Sequence, residues 1–132
     1  MRITGSAISL TVDDVPASSK FLATHFGFSQ RMAADGFAAL GHAGTGLEIV
    51  FLRTGLEVLP PALRPVRAGG VIVAFVVEKL TAEQERLRGE GVTITEPIRE
   101  EPWGERLFMV TDPNGVVYEL VEWAAQTVTP AR

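Results

Sequence analysis

Two glutamates, Glu48 and Glu119, are the residues of this 132-residue chain best suited by type and setting to do chemistry. Glu48 lies in GTGLEIVFLR and Glu119 in GVVYELVEW, each just beyond a glycine-bearing turn and inside an apolar run. Alternate residues of a strand take opposite faces. Glu48 therefore shares a face with Val50 and Leu52, and Glu119 shares one with Val117, Val121 and Trp123. An ionised carboxylate among aliphatics is rare unless it is paired or liganded. Both are thus candidates for holding a cation or moving a proton. Other donors are scarce. There is no cysteine, which excludes a disulfide framework, a thiolate zinc site and a cysteine nucleophile. His25 and His42 are the only histidines, so one copy of the chain cannot build a three-imidazole centre.

The elements that must position these carboxylates come in two similar sets. Residues 8–15, ISLTVDDV, fall over residues 73–80, VAFVVEKL, at an offset of 65, and each is followed by a helix-compatible stretch ending at Gly27 or Gly91. Near the end of each set, Glu48 falls on Glu119 and Val50 on Val121 at an offset of 71. The pattern predicts two copies of a strand–helix–strand–strand–strand unit, about 3–53 and 71–123, within a single domain. A Pro- and Gly-rich linker or lid, 54–70, joins them, and a tail follows from 124 to 132, frayed from Gln126. Asp14 is the expected cap of the first helix, with Pro16 in its first turn. Thr81 and Gln84 spell a capping box for the second. Hairpin turns are expected at Asp35-Gly36, at Gly44–Gly46 and at Asp112-Pro113-Asn114-Gly115.

Composition narrows the function classes further. At 46% hydrophobic and 21% charged the chain is globular rather than disordered or collagenous. A net charge of -4 offers no basic surface for nucleic acid or anionic lipid. The N-terminus MRITGSAISL lacks a signal-peptide pattern, and no run approaches the ~20 apolar residues of a membrane helix. A cytoplasmic protein is expected.

Taken in order, ISLTVDD, VAFVVEKL, PWGERLF and DPNGVVYELVE resemble the vicinal oxygen chelate superfamily. That group includes glyoxalase I, fosfomycin-resistance enzymes, extradiol dioxygenases and bleomycin-resistance proteins. The resemblance spans about residues 3–123 and implies an α+β fold in which two βαβββ repeats form a curved mixed-sheet cup, completed by dimerisation. The two glutamates would then meet in one cavity. In metal-using members, ligands come from the first and last strands of each repeat. Those positions fall here on Ala7, Glu48, Ile72 and Glu119. Alanine and isoleucine have no lone pair to give, and two carboxylates leave a divalent ion under-coordinated. His25, at the end of the first helix, is expected to face solvent, and His42 lies beside a turn.

The resemblance is therefore strongest to the metal-free, bleomycin-resistance-type members. It implies a homodimer without metal or cofactor that sequesters an aromatic or cationic drug-like ligand. The expected ligand contacts are Glu48, Glu119, Ser9 and Met109, with Phe37 and Trp103 at the rim. Thr11, Ala74, Val76, Leu107, Val117 and Val121 would complete the walls. The alternative is a lyase or isomerase in which Glu48 and Glu119 hold Mg²⁺ or Mn²⁺, or in which one of them is the catalytic base.

Overall fold

The computed structural model describes residues 1–123, so the tail read from the sequence lies outside the described residues. The chain forms two compact units, Met1–Gly70 and a second from Val71 onward. In unit one the order is β1 (Ser6–Val12), α1 (Val15–Phe26), β2 (Ser29–Ala34), β3 (Phe37–His42) and β4 (Thr45–Arg53). Unit two repeats it with β5 (Ile72–Val76), α2 (Leu80–Gly89), β6 (Ile94–Glu100), β7 (Glu105–Thr111) and β8 (Val117–Trp123). Each unit holds a four-stranded mixed sheet, ordered β1-β4-β3-β2 in one and β5-β8-β7-β6 in the other. The first strand of each runs parallel to the last, and the remaining pairs are antiparallel. This is the βαβββ repeat expected from the sequence.

Local chemistry explains most boundaries. Asp14 accepts a hydrogen bond from the Ala17 amide at 3.1 Å and starts α1, and Gly27 ends it in the left-handed region at φ 73. The second helix is capped differently from expectation. It starts at Leu80 after Lys79, with no side-chain bond from its own cap residue. Glu122 of β8 instead accepts from the Leu80 amide at 3.4 Å and from Arg106 at 3.1 Å, while Arg106 reaches the Thr81 hydroxyl at 3.4 Å. Gln84, the other half of the expected box, turns inward and accepts from the Ile98 amide of β6 at 3.1 Å. Packing across the unit thus replaces a local motif.

Each helix covers one face of its own sheet. In unit one, Leu22 of α1, Leu40 of β3 and Ile49 and Phe51 of β4 are fully buried. In unit two, Leu80 and Leu87 of α2 are buried with Phe108, Val110 and Tyr118, and Phe75 stacks on Tyr118 with ring centroids 6.4 Å apart. Each such large apolar side chain contributes about 1.5–3 kcal/mol.

One turn departs from the sequence-based expectation. The β3–β4 turn is Ala43-Gly44, closed by pairing of His42 with Thr45, so Gly46 already belongs to β4. Segment 54–70 is a structured loop of unit one. The Gly55 amide bonds the Arg64 carbonyl at 2.8 Å, and Arg64 spans the Leu59 and Glu57 carbonyls at 2.9 and 2.8 Å. At its two ends Asp13 accepts from Thr54 at 2.6 Å and from Arg67 at 2.7 Å. The Ala68 amide bonds the Thr11 carbonyl of β1 at 2.7 Å.

Candidate functional site

The sheet face that α1 leaves uncovered carries Ala7, Ser9 and Thr11 of β1 opposite Glu48, Val50 and Leu52 of β4. Ala39 of β3 pairs with Val50, and Phe37 with Leu52. Glu48 is half-buried, Ala7 and Ser9 are exposed, and a hollow of about 450 Å³ opens over Glu48. Gly5, Ala7, Gly41 and Gly46 keep it open, and Arg31 lies at its side. Phe37 does not line this hollow. It lines a separate cleft of about 790 Å³ between α1 and the β2–β3 hairpin, with Asp13, Ser19, Ala33 and Arg53.

In unit two the corresponding face carries Glu119 between Ala74 of β5 and Met109 of β7. Leu107 and Val121 are buried on it, Val117 and Met109 half-buried, and Ile72 and Val76 exposed. Burial pushes the Glu119 carboxyl above its ordinary value, and the charge of Glu105 acts in the same direction. Arg99 opposes this, and Glu101 adds to it. Arg99 is engaged elsewhere, bonding Glu101 at 2.7 Å and Glu96 at 2.9 Å. Trp103 is 55% exposed in the turn before β7, and its indole N–H donates to Glu105 at 3.2 Å. Trp103 thereby touches the carboxylate that acts on Glu119. Nothing in the sequence pattern singles out Glu105 for this role.

Strand register also distinguishes the two halves. Ala7 stands directly beside Glu48, but Ile72 pairs with Val117, and the neighbour of Glu119 is Ala74. The uniform offset carried Ala7 onto Ile72. In the sheet the residue beside the second glutamate lies two positions further along, on the same face.

These residues do not fit a tightly held divalent metal. Neither Ala7, Ala74 nor Ile72 has a donor atom, and among the described residues no three His, Cys, Asp or Glu side chains are grouped to hold an ion. The histidines have other work. The His42 Nδ1 accepts from the Gly44 amide at 2.8 Å, and its ring lies 5.1 Å from that of Phe28. His25 is half-buried rather than solvated, edge-on to Phe21 at 5.1 Å.

Comparison with known proteins decides the family to which this geometry belongs. The model of the Glyoxalase/Bleomycin resistance protein/Dioxygenase superfamily matches residues 6–120. The chain belongs to this superfamily. Its fold recurs in a glyoxalase/bleomycin resistance protein/dioxygenase from Nocardioides, 22% identical, TM-score 0.74, covering 100% of this chain and 90% of that one. An integron cassette protein from the mobile metagenome of V. cholerae is 25% identical, TM-score 0.72, over 94% of this chain and 98% of its own. A lactoylglutathione lyase from Agrobacterium tumefaciens is 17% identical, TM-score 0.73, over 92% and 94%. No curated protein matches at a significant level. No helix among the described residues is long and apolar enough to cross a membrane.

Proposed function

We propose that this superfamily member is a small-molecule binding protein that works without a metal. Each unit offers a ligand the sheet face that its own helix leaves uncovered. Glu48 and Glu119 are the polar anchors, Ser9 and Met109 are wall contacts, and Trp103 is a stacking surface. One observation carries the reading. Each glutamate has an alanine on the strand beside it, so each presents a carboxylate to a ligand without a companion metal donor. A flat cationic molecule suits such a surface through charge-assisted hydrogen bonds and stacking. Homodimerisation is part of the reading, because Ile72, Val76 and Met32 are 53%, 71% and 64% exposed and offer apolar area to a second copy.

The test pairs ligand and metal titrations. Cationic aromatic antibiotics are expected to quench tryptophan fluorescence, and Glu48→Gln or Glu119→Gln to weaken that response about tenfold or more. Micromolar Mn²⁺, Ni²⁺ and Zn²⁺ should leave the melting temperature in place. A rise of several degrees that disappears in both variants overturns the reading.

A second reading is favoured by the raised Glu119 carboxyl, which is the direction a general base working near neutral pH requires. In it, Glu119 removes a proton beside a carbonyl, in lyase or isomerase chemistry such as the name of the Agrobacterium neighbour denotes. Turnover with a pH-rate limb lost in Glu119→Gln would select it.

A further inference from the structure

The hollow over Glu48 has a second charged wall. Arg31 occupies a break in the β2–β3 ladder, where Gln30 pairs with Leu40 and Met32 with Ala39, leaving Arg31 as the extra residue. The β3–β4 ladder breaks beside it, between Leu40 and His42, at Gly41. A bulge re-aims the side chain it carries. Gln30 reaches the helix side, where its Oε1 accepts from Ser19 at 2.9 Å, whereas Arg31 lines the hollow with Ala7 and Glu48. Its guanidinium lies against the Gly41 backbone. A Cβ at Gly41 would overlap it, so the missing side chain is what lets Arg31 lie there. Two adjacent ladder breaks and a glycine thus bring a cation to the hollow that holds Glu48. Neither Arg31 nor Glu48 forms an ion pair with another described residue.

We propose that this hollow binds a small zwitterion, with Arg31 holding its carboxylate or other oxyanion and Glu48 holding its ammonium. A guanidinium offers a planar fork of donors that matches a carboxylate in bidentate fashion. Glu48 supplies the complementary acceptor, and about 450 Å³ accommodates a dipeptide-sized molecule. The inference rests on the reading that the face bearing Glu48 is a ligand site, and it changes the ligand class from cation to zwitterion.

Three probes separate the charges: glycylglycine, which carries both, N-acetyl-glycylglycine, which carries only the anion, and glycylglycinamide, which carries only the cation. Binding is read from backbone amide shifts of Ala7, Gly41 and Gly46 in two-dimensional NMR of the full chain. Glycylglycine is expected to bind at least about tenfold more tightly than either single-charge probe. Arg31→Gln should reduce it to the level of glycylglycinamide, and Glu48→Gln to that of N-acetyl-glycylglycine. Gly41→Ala, which displaces the guanidinium while keeping the Arg31 charge, should weaken N-acetyl-glycylglycine and leave glycylglycinamide unchanged. If glycylglycinamide binds as well as glycylglycine, and Arg31→Gln changes neither, the zwitterion site is overturned while the ligand face stands. If no dipeptide probe moves these amides but a cationic aromatic antibiotic does, the zwitterion site is again overturned and the ligand face again stands. If nothing moves them, both proposals fall.

Discussion

Asp112 offers a sharp test of how unit two holds Glu119 in register. It is 5% exposed at the start of the β7–β8 turn, and its Oδ1 accepts from the amides of Asn114 and Val116, both at 2.9 Å. Gly115 completes the turn at φ 87, a conformation that a side chain would strain. Asp112→Ala removes the oxygen that accepts both bonds. The Asn114 amide can turn to water, but Val116 is 3% exposed and its amide is left without a partner in a buried setting. A buried donor stripped of its bond costs about 1–3 kcal/mol, and a bond to a charged acceptor is worth about 1.5–3 kcal/mol. Because the Asn114 amide regains a bond from water, the two figures overlap rather than add, and the loss is about 2–4 kcal/mol. For a chain of this length, unfolding entropy near the midpoint converts each kcal/mol into about 3–4 °C, so the melting temperature should fall by about 6–16 °C. Asp112→Asn keeps an Oδ1 acceptor and loses only its charge, so its fall should be about half as large. Thermal unfolding by circular dichroism measures both. A fall under about 3 °C for Asp112→Ala, or equal falls for the two variants, refutes the reasoning. The turn has a functional reach as well. Strand side chains alternate, so a one-residue slip of β8 would turn Glu119 toward α2 and put Tyr118 and Leu120 on the uncovered face.

Two further outcomes follow from the other clasps. The Glu119 carboxyl is held above its ordinary value of 4.5, so the folded state favours its proton. That contribution is fully present below 4.5 and is lost as pH rises through the raised folded value. Glu119→Gln, which never ionises, should therefore melt above the parent at pH 7 and match it near pH 4, as read by melting curves across pH. Asp13 works in the opposite direction. Its bonds to Arg67 and Thr54 lower its carboxyl, so its hold on the 54–67 segment persists above the ordinary value of 3.8 and is lost only as pH falls through the lowered one. Asp13→Ala should accelerate tryptic cleavage after Arg67 at neutral pH, because the Ala68–Thr11 bond is then the remaining tie at that end. Unchanged cleavage would show that the loop holds without its carboxylate.

What the sequence made legible was mostly what is encoded within a few residues. Asp14, Pro16 and Gly27 bound α1 through contacts spanning a single turn, and the alternation around Glu48 and Glu119 assigns each the same face as the strand pairing does. Errors arose where distant residues compete. Thr81 and Gln84 have the spacing of a capping box, but Glu122 and Arg106 from the sheet take the helix start, and the Ile98 amide takes Gln84. Register between the first and last strands depends on pairing across more than forty residues, which is why Ile72 stood in for Ala74. Arg31 was illegible for a similar reason. A bulge is a property of two strands together, and SQRMAA alone gives no sign of it.

The broken ladders also bear on solubility. A terminal strand with free amides and carbonyls invites strand addition from another chain, and its regularity sets how strongly. In unit one all six positions of β2 are exposed, yet the irregularity at Arg31 interrupts its rhythm and places a charge there. The terminal strand of unit two, β6, carries Pro97, two register shifts, and the charges of Glu96, Arg99 and Glu100. Beside β1, the Ala68 amide occupies the Thr11 carbonyl. The irregularities that shape the candidate hollow thus also deny neighbouring molecules a straight template, so a variant that regularised β2 by deleting Arg31 would forfeit resistance to aggregation along with its guanidinium.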